Sequence, residues 1–349
     1  MIDSNTKRQI FKKLGEDVLK AMCLMHSTPG DEVSLVAFLR DIWTTNGWKT
    51  NVYGRYAMVA QSPKWDNSRP TILLCAHADS PGFIVQKLVK DGLGTAISLG
   101  SPHTGYKNAN VLVKGRNGFY KAKLKVEDSF SNEYPIVSKD KMQRGDRVCF
   151  LPQYHRTADG YVKATFLDNR VGCWVLSQIP LLLNTKKQTV NVVLAVTGGE
   201  EMTGFGADVL ANNVHADLTI CLDATYADDS QDVSLGSGPV LTVSDKSVLL
   251  SPAVCDAVKK VFRRWRIPLQ EEIYNYSGTD SRAFPTQGSS RPVLAILIPS
   301  EGNHSPLETV AVDDLIAYMC ASLKFCTDEK VLTQISEAWD EWMTYEPND

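Results

Sequence analysis

The stretch of sequence that decides the fold is Val190-Asn191-Val192-Val193-Leu194-Ala195-Val196-Thr197-Gly198-Gly199-Glu200-Glu201. Its apolar run is typical of a buried strand, and the two glycines predict a turn at the end of that strand. In open α/β sheets, ligand sites lie outside the carboxyl ends of the strands, which is where Glu200 and Glu201 fall. Two adjacent carboxylates repel each other unless a cation, commonly a metal ion, balances them. The pair therefore predicts either a metal site in which one glutamate handles a proton, or a solvated acidic turn.

The bulk composition limits the classes of function. A chain of 349 residues, 43% of them hydrophobic, is long enough for about two domains with a sizeable core. A net charge of −3 with mixed signs argues against binding nucleic acid or a membrane surface. No apolar run approaches the ~18 residues of a membrane helix, and the N-terminus lacks a signal-peptide pattern. Eight cysteines without a Cys-x-x-Cys motif predict a reduced, cytoplasmic compartment.

Apolar strands and amphipathic helices alternate along most of the chain. Short apolar runs predict strands at 71–75, 190–196, 218–222 and 293–298. Helical spacing predicts a helix over 5–25, a second one capped by Asp31, and later helices at 171–183, 204–212, 252–265 and 313–325. This alternation predicts the α/β class, as a three-layer αβα domain with a mostly parallel central sheet, formed by residues 1–85 and 164–349.

Residues 86–163 break this alternation. They contain many glycines, no helical periodicity, and short β-like pieces at 96–99, 111–113, 119–126 and 147–150. The pattern predicts a small β-barrel-like domain inserted into the αβα domain. Within it, the triplet Arg144-Gly145-Asp146 is interpreted as a turn before a strand rather than as an adhesion motif.

Polar residues that can bind metal follow the apolar runs. His77 and Asp79 come after 71–75 and share a strand face, so Asp79 can orient the ring of His77. Asp168 comes before the helix at 171–183, where it is either a cap or a carboxylate that bridges two cations.

The other two strands end in the same way, since Asp223 follows 218–222 and His304 follows 293–298. Histidine and carboxylate ligands favour zinc, cobalt or manganese over magnesium or calcium. Two such ions lie about 3.5–4 Å apart and can activate a shared water, whose proton a neighbouring glutamate can take. The inventory therefore predicts two divalent ions per subunit.

With these motifs the chain resembles the dimetal aminopeptidases of peptidase family M42, the glutamyl- and leucyl-aminopeptidase-like enzymes that often form tetrahedral dodecamers. The matching strings span most of the chain: Ala76-His77-Ala78-Asp79 with Gly82-Phe83, Leu167-Asp168-Asn169-Arg170-Val171-Gly172, Glu200-Glu201 with Gly204, Leu222-Asp223-Ala224, Gly278-Thr279-Asp280 and His304-Ser305-Pro306. The resemblance implies an enzyme that hydrolyses the N-terminal peptide bond of short peptides through a water bridged by two divalent ions. It also implies that the insertion mediates dimerisation, within a homo-oligomer that is a dimer or a dodecamer.

The same resemblance implies the metal ligands. His77 and Asp223 would complete one metal site. Glu201 and His304 would complete the other, and Asp168 would bridge both ions.

The resemblance also implies the catalytic residues. Glu200 would be the general base and later the acid, and Asp79 the partner of the metal-bound histidine. The segment 278–280 would lie near the substrate or the ligands, with no definite role. The family commonly has His-Met-Asp-Glu where this chain has Ala78 and Ser80-Pro81, which alters the shape of the pocket but keeps both functional positions.

Some residues are predicted to lie outside the site. The other histidines, His26, His103, His155 and His215, are expected in loops or at the surface, although His103 could reach a neighbouring subunit's site. The tail 337–349, with Trp339 and Trp342, is expected to pack on the insertion or on a neighbouring subunit rather than to fray.

Three alternatives compete with the aminopeptidase. A related dimetal deacylase or amidohydrolase would use nearly the same ligands. A non-catalytic assembly scaffold would keep the fold alone, but here the ligand and base positions are all filled. A phosphate-binding loop at 197–206 is disfavoured, because two acidic residues would repel a phosphate.

Overall fold

The computed structural model describes residues 4–89, 92–102, 108–125, 133–184 and 188–341. Its helices are α1 (Ser4–Lys13), α2 (Glu16–Cys23), α3 (Val33–Thr45), α4 (Leu167–Leu182), α5 (Phe205–Asn213), α6 (Pro252–Trp265), α7 (Ala283–Thr286), α8 (Val312–Phe325) and α9 (Glu329–Asp340). Its strands are β1 (Lys49–Tyr53), β2 (Ala57–Gln61), β3 (Thr71–His77), β4 (Gly82–Leu88), β5 (Leu93–Leu99), β6 (Asn108–Gly115), β7 (Gly118–Lys125), β8 (Glu133–Val137), β9 (Arg147–Phe150), β10 (Tyr154–Arg156), β11 (Tyr161–Ala164), β12 (Asn191–Thr197), β13 (Leu218–Tyr226), β14 (Val240–Ser244), β15 (Gln270–Ile273), β16 (Val293–Ser300) and β17 (Glu308–Ala311).

The predicted α/β class is confirmed by an eight-stranded sheet in the order β1-β2-β12-β3-β13-β16-β14-β15. The four strands β12, β3, β13 and β16 run parallel, so their carboxyl ends meet at one edge. Ile72 and Leu74 of β3 belong to one buried cluster, whereas Leu73 and Cys75 belong to another. Because successive side chains of a strand point to opposite faces, both faces of the sheet are covered. This is why its inner strands are almost uninterrupted apolar runs.

The N-terminal helices differ from their predictions. The helix predicted over 5–25 is divided into α1 and α2 by Gly15, whose φ of 95° lies in the left-handed region. An added Cβ there would lie 2.6 Å from the Gln178 side-chain amide, so another residue at this position would force that amide to move. The prediction that Asp31 caps the next helix is wrong. Glu32 precedes α3 without a side-chain capping bond, and the Asp31 carboxylate accepts a hydrogen bond from Lys114 at 2.7 Å.

The insertion is a closed antiparallel barrel in the order β4-β5-β8-β7-β6-β9. Its interior is a separate apolar cluster that includes Phe83, Val111 and Phe150. The barrel therefore begins at Gly82, a few residues before the predicted start at 86. It ends at Phe150, well before the predicted end at 163.

Residues after the barrel belong to a different sheet. The strands β10 and β11, which the predicted boundary placed in the insertion, join β17 in a three-stranded antiparallel sheet. Pairing with β17 could not be read from local sequence, because the partner lies far along the chain. As a result, the segment that leads into α4 is held by the αβα domain.

Several smaller predictions can be compared with the structure. Residues 144–145 form the predicted turn before β9. Trp339 of α9 donates a hydrogen bond from Nε1 to the Ser290 carbonyl at 3.1 Å, so this tryptophan contacts its own αβα domain rather than the insertion. Trp342 lies outside the described residues.

The described histidines outside the site lie in loops or at the surface, as predicted. His155 and His215 are exposed, and His26 lies in a loop, where it is buried and only 3% exposed. Burial lowers the pKa of the His26 imidazole to about 4 despite the nearby Asp31 carboxylate. His103 lies outside the described residues. None of the described helices is both long and apolar enough to cross a membrane.

Candidate metal centre

Six side chains converge at the carboxyl edge of the parallel strands: His77 of β3, Asp168 of α4, Glu200 and Glu201 after β12, Asp223 of β13, and His304 after β16. They form three overlapping sets in which one ligand atom from each residue lies within 4.8 Å of the others. The structure thus brings together every residue predicted as a ligand, and Glu200 beside them.

The cluster divides into two groups that share Asp168. His77 Nε2 lies 3.2 Å from Asp223 Oδ1 and 3.4 Å from Asp168 Oδ1. His304 Nε2 lies 3.3 Å from Asp168 Oδ2 and 3.4 Å from Glu201 Oε2. Each oxygen of Asp168 therefore faces one histidine. Among the described residues, the Asp168 side chain makes no capping hydrogen bond to α4, the other role that the sequence left open.

Both histidines are oriented in the same way. His77 Nδ1 lies 3.0 Å from the main-chain oxygen of Asp79, and His304 Nδ1 lies 3.0 Å from the main-chain oxygen of Ser101. A hydrogen bond from Nδ1–H to a carbonyl leaves the lone pair of Nε2 free for a metal. Both Nε2 atoms point at the carboxylates.

The Asp79 carboxylate lies beside the His77 ring, with Oδ1 3.7 Å from Nδ1, which is longer than a normal hydrogen bond. Instead it accepts hydrogen bonds from three consecutive backbone N–H groups: Gly199 at 2.8 Å, Glu200 at 3.1 Å and Glu201 at 3.1 Å. Asp79 is fully buried. It fixes the turn from which both glutamates project, while its main chain orients His77.

The charges in the cluster are unbalanced without a cation, since four carboxylates face two imidazoles. Burial opposes protonation of His304, yet the Glu201 and Asp168 carboxylates raise its pKa to about 12. Burial raises the pKa of Glu201 to about 8 and that of Glu200 well above its usual range. Glu201 Oε1 is buried without a hydrogen bond among the described residues. An unsatisfied buried oxygen among nitrogen and oxygen donors fits a site for divalent cations.

The barrel contributes to the same site. Ser101, which orients His304, follows β5 of the barrel. The adjacent Gly100 has a φ of 74°, and a Cβ there would lie 2.9 Å from the main-chain oxygen of Glu201. Gly100, just after β5, thus packs directly on the turn that carries both glutamates.

A cavity of about 380 Å³ opens onto the cluster. Tyr226, Tyr274 and Tyr276 line it, with ring centroids 5.8 Å and 5.5 Å apart in the two neighbouring pairs. Gly278 and Thr279 also line it, in keeping with the expectation that 278–280 lies near the substrate or the ligands. Asp280 is buried, and it accepts a hydrogen bond from Thr197 Oγ1 at 2.5 Å.

One residue at the site was missed in the sequence. Glu308 is 2% exposed and accepts hydrogen bonds from the backbone N–H groups of Asp168 and His304. Burial raises the pKa of this carboxyl to about 8. The sequence signal that could have identified it is an acidic residue four positions after His304, at the start of a short and mainly apolar strand.

Comparison with known proteins places the chain among peptidases. The model of the M42 glutamyl aminopeptidase family matches residues 136–320. A putative aminopeptidase of Acetivibrio thermocellus is 27% identical, over 70% of this chain and 78% of the relative. A TET aminopeptidase from Thaumarchaeota archaeon SCGC AB-539-E09 has a similar structure, with a TM-score of 0.84, 19% identity, and coverage of 91% of this chain and 99% of that one. The Pyrococcus horikoshii TET1 peptidase, described as assembling into a tetrahedron or a large octahedral shell, has a TM-score of 0.79, 20% identity, and coverage of 89% and 99%.

Proposed function

This chain belongs to the M42 family of glutamyl aminopeptidases, and we propose that it is itself a metal-dependent aminopeptidase that removes N-terminal residues from short peptides. The observation that carries the proposal is the shared carboxylate of Asp168, which faces the Nε2 atoms of both His77 and His304. Aminopeptidase activity named for its relatives supports the same assignment.

We assign the ligands from the distances. His77 and Asp223 would hold one divalent ion, Glu201 and His304 would hold a second, and Asp168 would contact both. Zinc, cobalt and manganese suit this mixture of nitrogen and oxygen donors. When bound, such ions supply Lewis acidity that polarises the scissile carbonyl and lowers the pKa of the attacking water.

Glu200 is the proposed general base. Its Oε2 lies 3.9 Å from His77 Nε2, farther than either Asp223 or Asp168, so it is free to accept a proton at the edge of the ligand set. Glu200 would take a proton from the attacking water and pass it to the nitrogen of the leaving amine. Asp79 would hold the Glu200 backbone so that this carboxylate stays beside the reacting atoms.

A comparison of free and N-acetylated peptides tests this function. We expect purified protein loaded with zinc, cobalt or manganese to release N-terminal residues from free peptides and to leave acetylated ones intact. Chelation should abolish the activity, and addition of the metal should restore it.

The same assay separates the aminopeptidase from the alternatives. Cleavage of acetylated substrates with free peptides untouched would indicate a deacylase or related amidohydrolase instead. A metal-loaded protein that cleaves neither class would support the non-catalytic scaffold and overturn the proposal.

We further propose that the chain forms a homo-oligomer, as described for the Pyrococcus horikoshii relative. Large apolar side chains such as Leu249, Ile273 and Val33 are 81%, 67% and 72% exposed in the single chain, which is consistent with burial in an assembly. Light scattering coupled to size-exclusion chromatography should therefore give a mass that is a multiple of 38.6 kDa. A mass of one chain at micromolar concentration would contradict this.

A further inference from the structure

We infer that Glu308 is a positioning residue for the metal centre, which fixes the backbones of Asp168 and His304 so that their side chains reach a shared pair of ions. The inference rests on the proposed function only for the identity of those ligands. Glu308 itself would touch neither metal nor substrate.

The two hydrogen bonds of Glu308 are specific. Glu308 Oε1 accepts from the N–H of His304 at 2.9 Å, and Oε2 accepts from the N–H of Asp168 at 2.8 Å. Each oxygen thus serves one ligand. The two residues joined in this way are those whose side chains meet, with Nε2 of one 3.3 Å from Oδ2 of the other.

The small sheet β10-β11-β17 places Glu308 where it can do this. In the antiparallel pair β11 and β17, Ala164 lies opposite Glu308. Antiparallel register brings the segment after β11, which carries Asp168, to the same end as the loop before β17, which carries His304. Glu308 is the first residue of β17, so its side chain lies between the two segments.

The backbone conformations of His304 and Asp168 are unusual and require support from neighbouring groups. His304 has a φ of 65°, in the left-handed region that a residue with a Cβ adopts only when its surroundings enforce it. Asp168 has a ψ of 107°, at a non-helical kink near the start of α4 that also includes Asn169. A single buried carboxylate holds both unusual residues, and it offers a separate acceptor oxygen to each N–H group.

The chain offers a matched control in Glu272. Glu272 is also 2% exposed and also accepts two hydrogen bonds, from the hydroxyls of Thr225 and Thr242. It joins strands of the main sheet and bonds to no proposed ligand. A general cost of disturbing a buried carboxylate should therefore appear in both Glu272→Gln and Glu308→Gln.

The experiment titrates Co²⁺ into metal-free wild type, Glu308→Gln and Glu272→Gln by calorimetry and by visible absorption. In Glu308→Gln an amide NH₂ replaces one acceptor and opposes an N–H donor, so one ligand backbone is released. Loss of such a supporting contact typically weakens metal binding 10–100-fold. We expect that loss for at least one ion in Glu308→Gln, with a changed cobalt spectrum, and wild-type affinities in Glu272→Gln.

Three results would overturn the inference: unchanged cobalt affinities and spectrum in Glu308→Gln, equal losses in both variants, or losses that follow only the thermal stability of each variant. If Glu308→Gln does not fold, Glu308→Asp keeps two oxygens on a shorter stem, and it should fold and still bind cobalt more weakly than wild type. Wild type that binds cobalt at two sites but cleaves no peptide would refute the proposed function and leave this inference standing.

Discussion

Replacing Glu200 with glutamine should lower kcat for peptide hydrolysis by about 10²- to 10⁴-fold while the protein keeps its metal. Glutamine has nearly the same shape, but it cannot accept the proton that the attacking water must lose. Glu200 Oε2 lies 3.9 Å from His77 Nε2, farther than the oxygens of Asp223 and Asp168, so its loss should leave the ligand set in place. The measurement is steady-state kinetics on a free peptide, with metal content determined on the same sample.

The adjacent residue provides the control for this variant. Glu201→Gln changes the same turn by the same chemistry, but it alters a carboxylate that lies 3.4 Å from His304 Nε2. It should reduce metal content as well as turnover, so that added metal partly restores activity. If Glu200→Gln keeps wild-type turnover, Glu200 is not the base; if it loses metal as Glu201→Gln does, Glu200 is a ligand.

Replacing Asp168 with alanine should have the largest effect on metal binding, because one carboxylate serves both halves of the cluster. Its oxygens lie 3.4 Å from His77 Nε2 and 3.3 Å from His304 Nε2. We expect the variant to lose tight binding of both ions, and with them roughly 10³-fold or more of activity. Among the described residues, Asp168 is the carboxylate that lies within 4 Å of both Nε2 atoms. Calorimetric titration with Zn²⁺ and elemental analysis after dialysis measure the loss.

A buried aspartate elsewhere in the fold controls for damage to the structure. Asp314 is fully buried and accepts hydrogen bonds from the backbone N–H groups of Gly236 and Gly238, away from the cluster. Asp314→Ala should lower thermal stability but leave two tight sites. Retention of one tight site in Asp168→Ala would show that Asp168 belongs to a single ion and does not bridge.

The parts of the fold that the sequence predicted well are those with local causes. The four parallel strands begin within one residue of the predicted runs, because burial on both faces demands continuous apolar residues. They extend past those runs at the carboxyl end, where β3 reaches His77 and β13 continues beyond Asp223 to Tyr226. The polar residues His77 and Asp223 lie inside β3 and β13 and belong to the site. A prediction based on apolar residues alone therefore ended each of these strands too early.

The parts that the sequence could not predict depend on contacts between distant segments. The partners of the Asp79 carboxylate lie about 120 positions later, at the turn after β12. The pairing of β11 with β17 and the bond from the Asp168 N–H to Glu308 join segments about 140 positions apart. No periodicity or short motif records such a partner. The local sequence signal of such a distant partner is an acidic residue on an otherwise apolar strand, as at Glu308.

The contact between Ser101 and His304 has a thermodynamic consequence for the whole chain. The two residues are 203 positions apart, one after a barrel strand and one after a strand of the central sheet. If a bound ligand favours this orientation of the imidazole, it also favours the contact with Ser101, and by linkage the contact strengthens binding of that ligand by the same free energy. A substitution in the barrel segment next to Ser101 that breaks the contact would then weaken binding at the edge of the central sheet.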